Sequence, residues 1–403
     1  MKRTLLTSVF LIPLLFTYAY PSETVRYLLA VGANNGGGNR ETLKYAVSDA
    51  QSFTKIMNQL GGIPAERMTV LVDPRPDQFI AELERLEKQI RDELKGIKRT
   101  EVIFYYSGHS DEEGLLLGSK TMPYTDLHDR IKALPADVKI AILDSCSSGA
   151  FTRVKGGKMI TPFMSDSSQD MRGFAFMTSS SADEVSQESD RIGGSFFTHY
   201  LISGLRGAAD GKRDGQVTLN EAYQYAYRET LTRTARTIGG AQHPNYNIQM
   251  TGTGDVILTD IRSGGALLTL ADSLDGRFFI SSGTSLVAEF TKEKGGALSF
   301  SIPDGKYSIV RDSDGNLSET KIAVRKNAPF TVREQSFTPI AKEDSVQRGN
   351  KPPVYALNPF TAYLIPLSGE EKSVEHVQLY LIGSRCAKLD GLSLGIGVGA
   401  VSE

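Results

Sequence analysis

The stretch Glu101-Val-Ile-Phe-Tyr-Tyr-Ser-Gly-His-Ser110 decides how this chain is read, and Val138-Lys-Ile-Ala-Ile-Leu-Asp-Ser-Cys146 is built on the same plan. Each begins with an apolar run of strand length, Glu101 to Tyr106 and Val138 to Leu143, and ends in small polar residues carrying one reactive side chain. A near-continuous apolar run predicts a strand covered on both faces, the habit of parallel sheets.

Outward from these two runs, strands and helices alternate from residue 25 to about 260. Val25–Val31 and Met68–Val72 read as strands before the opening stretch, and Phe174–Thr178 and Asp255–Leu258 as strands after it. Between them, Glu41–Leu60, Asp77–Leu94, Tyr124–Leu134, Ser195–Leu205 and Thr218–Thr237 carry apolar residues at helical spacing. Strands separated by helical crossovers predict an α/β fold, a mostly parallel sheet with helices on both faces. Reactive groups in such sheets gather at the carboxyl ends of the strands.

Near Ser263 the pattern changes. Short alternating runs from Ala266 to about Pro339, split by Asp-Gly, Gly-Gly and Ser-Gly turns, predict a small all-β sandwich over 264–340. A polar linker follows at 341–358, then a β-rich tail at 359–403, where His376–Gly383 and Asp390–Gly397 resemble each other weakly at an offset of 14 residues. Two copies do not establish a repeat architecture.

Lys2 and Arg3 ahead of the apolar run Leu5–Tyr20, with small residues at Thr17 and Ala19, give residues 1–19 the pattern of a signal peptide. The competing reading is an uncleaved anchor, for which the run is short against a span of about 20 residues. The expectation is export to the periplasm or the exterior with no stable membrane span after cleavage. A net charge of −2 gives no basic stripe for nucleic acid. The two cysteines, Cys146 and Cys386, are too few for a disulfide scaffold.

A cysteine and a histidine at the carboxyl ends of neighbouring strands suit nucleophilic catalysis, since a thiol needs an imidazole or backbone donors to react near neutral pH. A lone cysteine after an apolar strand is more often a small buried hydrophobe, and a lone histidine more often a structural hydrogen-bonder. Their shared setting narrows coincidence, but composition and spacing leave both readings open.

Several motifs then resemble one family in order. Tyr106-Ser-Gly-His109 and Asp144-Ser-Cys-Ser-Ser-Gly149 are similar to the histidine and cysteine motifs of the caspase/metacaspase-like cysteine peptidases, as is Tyr27–Gly32 leading to Ser48-Asp-Ala50. Gly194-Ser-Phe-Phe-Thr-His-Tyr-Leu201 and Asp210–Glu221 extend the resemblance over about residues 25–260. It implies a caspase-like fold, polypeptide substrates, Cys146 as nucleophile, His109 as acid and base, and an oxyanion site at the backbone N–H groups of Cys146 and Ser110. Members that cut after Arg or Lys carry an acidic pocket, which would map to Asp49, Ser107 and Asp144. Two carboxylates beside a nucleophile attract a cation and reject an acid. Ser110 stands where the family has glycine and Ser147 where metacaspases often have histidine, so a non-cleaving scaffold or adhesion protein acting through the tail is the rival. A phospho-receiver with Asp144 as acceptor fails, because no acidic pair follows the first strand.

Two lesser features complete the sequence. Arg153, Lys155 and Lys158 lie among glycines in a loop suited to self-cleavage by a cation-preferring enzyme. Asp210, Asp214, Gly215 and Glu221 fit the calcium-loop pattern, but Lys212 occupies a ligand position. The segment therefore reads first as a turn plus helix cap, with no cofactor required by the expected chemistry.

Overall fold

A computed structural model describes residues 24–38, 40–94, 97, 99–146, 172–181, 184–252 and 254–340, and two strand pieces at 380–381 and 394–395. The signal-like segment, the loop with Arg153, Lys155 and Lys158, Ser147, the 341–358 linker, Cys386 and most of the tail lie outside the described residues.

The chain runs β1 (Thr24–Ala33), α1 (Ala46–Gln59), β2 (Met68–Val72), α2 (Pro76–Glu93), β3 (Arg99–Gly108), a hairpin of β4 (Gly114–Leu117) and β5 (Lys120–Pro123), α3 (Tyr124–Ala133), β6 (Val138–Asp144) and β7 (Arg172–Thr178). It continues through β8 (Glu188–Ser189), β9 (Gly194–Ser195), α4 (Phe196–Ser203), β10 (Gln216–Thr218), α5 (Leu219–Thr234), β11 (Asn245–Thr251) and β12 (Ile257–Asp260). The central sheet has the order β11-β7-β6-β3-β1-β2, with every pairing parallel except β11 against β7.

Strand periodicity explains the two layers. Leu28, Ala30, Ile103, Tyr105, Ile140 and Ile142 face α1 and α4, while Tyr27, Leu29, Val102, Phe104, Ala141 and Leu143 face α2 and α3. Both faces are apolar because both are covered. Phe53 of α1 stacks on Tyr105 with ring centroids 4.4 Å apart, and burial of such a ring contributes about 1.5–3 kcal/mol.

Two expectations need correction. Helix α1 begins at Ala46, not Glu41, and the preceding segment is a loop. The strand that ends the peptidase-like region pairs with β10, while the sheet itself is closed by β11, which had no counterpart in the sequence reading.

The region after residue 263 forms two small sheets. β13 (Ala266–Leu270) lies between β16 (Leu298–Ile302) and β19 (Phe330–Val332). Facing them is the order β15-β14-β17-β18-β20, from β14 (Gly276–Ser282), β15 (Ser285–Lys292), β17 (Gly305–Ser313), β18 (Asn316–Val324) and β20 (Thr338–Pro339). Its apolar residues, among them Phe278, Phe290 and Phe300, join one continuous core with Leu205, Tyr225 and Ala226 of the α/β region. Gly207, at φ 126°, permits this approach, since a Cβ there would sit 2.3 Å from the Ser299 carbonyl oxygen. The described residues from 24 to 340 belong to one compact unit. In the second, β21 (Tyr380–Leu381) and β22 (Leu394–Gly395), one two-residue piece from each copy of the weak tail motif, pair antiparallel.

Candidate active site

Parallel register brings the reactive ends level. Tyr106 pairs with Leu143 and Ser107 with Asp144 across β3 and β6. His109 and Cys146 each follow two residues later, and both line one cavity of about 480 Å³. Its wall also includes Ser107, Asp144, Ser186 and Ser195.

The imidazole is held from behind. His109 Nε2 lies 2.8 Å from the Glu41 carbonyl oxygen, and since a carbonyl only accepts, Nε2 carries the hydrogen. The Nδ1 atom is thereby the ring's proton acceptor. Gly36 packs directly on the ring, where a Cβ would approach Cδ2 to 2.5 Å. Gly36 therefore serves close packing on the ring, and the loop that replaces the start of the expected first helix supplies the carbonyl. Sequence reasoning missed both, because neither depends on a reactive side chain.

Cys146 is a free, half-buried thiol with Sγ 4.0 Å from the Ser186 carbonyl oxygen. Burial pushes its pKa up, and the nearby Asp144 carboxylate pushes the same way. The resting group is therefore a thiol that needs a base at the moment of attack. Ser110 is buried, and its hydroxyl donates to the Cys146 carbonyl, which links the histidine loop to the cysteine loop. Its φ lies outside the left-handed region, so a side chain at the family's glycine position is tolerated.

Asp144 is buried and held by hydroxyls. Ser186 Oγ donates to it at 2.8 Å, Thr198 Oγ1 at 2.6 Å, and Ser195 Oγ also donates. Asp49 is not part of the cavity wall. It is buried behind Ser195, whose backbone N–H donates to Asp49 Oδ2 at 3.1 Å. Burial, and then the Asp144 charge, pushes the Asp49 carboxyl well above the usual range. Among the described residues neither acid has an ion-pair partner. Lys44, the cation nearest Asp49 in sequence, instead meets Asp190 at 3.1 Å.

Ser186, Ser195, Glu188 and Asp190 complete the pocket beyond the residues expected from sequence, and Thr198 supports Asp144 from behind it. Ser195 and Thr198 were present in the motif at 194–201, but only as members of a pattern without an assigned role.

A family model described as the caspase domain matches residues 25–253. The chain belongs to the caspase-domain family. That family consists of cysteine-type peptidases acting on polypeptides, and the match runs through the whole central sheet to β11, leaving out β12. Among solved structures the chain is similar to a crystal structure of caspase-1 from Spodoptera frugiperda, with 12% identity and a TM-score of 0.40, covering 59% of this chain and 90% of that one. No curated protein matches by sequence.

Within the caspase domain, the calcium-like segment spends its oxygens on its own backbone. Asp210 accepts the N–H groups of Asp214 and Gly215 at 3.2 and 3.0 Å. Glu221 accepts from the Thr218 N–H at 3.0 Å in a capping box at the start of α5. Among the described residues no group of acids, histidines or cysteines is arranged to hold a metal, nor is any helix long and apolar enough to cross a membrane.

Proposed function

We propose that this protein is an exported cysteine endopeptidase that cleaves after Arg or Lys. The supporting observation is the cavity itself: Cys146 and His109 share it with Asp144, an acid held by hydroxyls and without an ion-pair partner among the described residues. Asp49 stands behind, Glu41 and Glu188 line the same wall, and the one cation there, Lys44, is paired with Asp190. A guanidinium or ammonium entering this space gains Coulomb energy that an acidic side chain would lose.

In the reaction, His109 Nδ1 takes the Cys146 proton as sulfur attacks the scissile carbonyl. Backbone N–H groups of Cys146 and Ser110 are the assigned donors to the developing oxyanion. The tetrahedral adduct collapses to a thioester as the imidazolium gives its proton to the departing amine. Water, deprotonated by the same imidazole, then releases the acid and restores the thiol. No cofactor enters these steps. Export rests on the signal-like residues 1–19.

The test is a panel of reporter peptides differing only in the residue before the scissile bond. Arg and Lys reporters should be cut, Asp reporters should not, and Cys146→Ala should abolish cleavage. Preferential cleavage after Asp would overturn the specificity. Failure to cut any reporter, together with a Cys146 inert to thiol probes, would overturn the activity.

A further inference from the structure

We infer that the β-sandwich is the rear support of the substrate pocket, with Glu289 of β15 steadying the pocket arm through Arg191. For its kinetic consequence this rests on the peptidase reading above; the structural coupling does not.

The arm is residues 184–195. At its front, Ser186 and Ser195 donate to Asp144. Glu188 accepts the backbone N–H groups of Lys44 and Tyr45 at 3.2 Å each, and Asp190 accepts the Tyr45 hydroxyl at 2.7 Å. These bonds tie the arm to the loop that offers the Glu41 carbonyl to His109. At its back, Ile192 is buried in the core shared with the sandwich. Arg191, between Asp190 and Ile192, turns the other way, with Nη2 3.7 Å from Glu289 Oε2.

Glu289 is the centre of a charge cluster that spans both regions. It is fully buried, with 0% side-chain exposure, and Arg233 of α5 reaches it at 3.4 Å while Arg277 of the neighbouring β14 also pairs with it. Tyr225 of α5 donates to its backbone carbonyl at 3.5 Å. His199 of α4 is held neutral beside this group, pushed down to about 4 by burial and by the charges of Arg191 and Arg233. A carboxylate buried this deeply needs its cations, so the cluster fixes whatever carries them. Arg233 and Arg277 sit on regular elements, whereas Arg191 sits on the arm. The arm is thus the part whose position the sandwich sets.

His109 and Cys146 follow β3 and β6 directly, so loosening the arm should weaken substrate binding more than chemistry. Arg191 is 67% exposed, which makes it replaceable without opening the core. The experiment compares wild type, Arg191→Ala and Arg191→Lys, each checked for an unchanged circular dichroism spectrum. With an Arg reporter, R191A should raise KM about fivefold with kcat within twofold, and R191K should restore most of the loss. Hydrogen exchange of residues 184–195 should be faster in R191A than in wild type or R191K. Unchanged exchange in R191A overturns the proposal. If wild type cuts no reporter, the peptidase reading fails on its own, and exchange along the arm still decides this one.

Discussion

Two buried acidic clusters in this molecule are solved in opposite ways. Glu289 is surrounded by arginines from three parts of the chain, so its charge is answered internally. Asp144 in the cavity and Asp49 behind Ser195 are held only by hydroxyls and an N–H, with no ion-pair partner among the described residues. Hydroxyl and amide donors hold a carboxylate in place but add no compensating charge. The first arrangement is a structural joint. Under the proposed specificity the second is a receptor, because a substrate would bring the cation it lacks.

This contrast is sharpest in stability. Glu289→Gln strands the two largely buried guanidinium groups of Arg233 and Arg277, and removing one partner of a buried ion pair costs about 3–5 kcal/mol. Urea denaturation should show that loss; a loss under about 1 kcal/mol would mean that the arginines are already solvated and the contrast is false. Next in size, Asp144→Asn removes the charge that would meet a basic side chain. Cleavage of Arg reporters should fall about a hundredfold in kcat/KM, in line with about 1.4 kcal/mol per tenfold for a partly desolvated pair. A neutral-residue reporter should lose far less, and equal losses on both would remove Asp144 from the pocket.

Asp49 tests the same idea through pH. Its folded pKa is raised, so the folded chain keeps a proton that the unfolded chain releases near 3.8. That contribution to stability is fully present below the unfolded value and is lost as pH rises through the folded one. Asp49→Asn cannot ionise and escapes the loss. The melting temperature of D49N minus that of wild type should therefore grow as pH is raised from the acid range. A difference that stays flat or shrinks shows that Asp49 is ionised at no cost, with its charge met by some other group.

The sequence made the central sheet readable because strands covered on both faces become uninterrupted apolar runs, as in Val102–Tyr106 and Ile140–Leu143. Edge strand β11, Asn245-Tyr-Asn-Ile-Gln-Met-Thr251, is half-exposed and half-polar, so no run announced it. The reactive pair was visible because His109 and Cys146 end two similar strands. The donors to Asp144 were not, because Ser186, Ser195 and Thr198 meet it only after long crossovers, and serines and threonines carry no periodic signal. Glu41 misled for a different reason: its segment continues the apolar spacing of α1 but folds as the loop behind His109.

The smallest expected effect concerns Ser110, the departure from the family pattern. Its hydroxyl donates to the Cys146 carbonyl, and its backbone needs no angle that only glycine adopts. Ser110→Gly therefore deletes the buried hydrogen bond to the Cys146 carbonyl, and the hydroxyl's contact with Tyr124, while leaving the N–H assigned to the oxyanion in place. A bond of this kind contributes about 0.5–1.5 kcal/mol, and the glycine adds backbone freedom at the position that should be still. If the tether positions the nucleophile, kcat should fall about two- to tenfold with KM nearly unchanged, and Ser110→Thr, which keeps the hydroxyl, should lose less. A kcat that rises in S110G would instead show that the serine holds Cys146 away from its best geometry, and that the family's glycine is the better residue for this site.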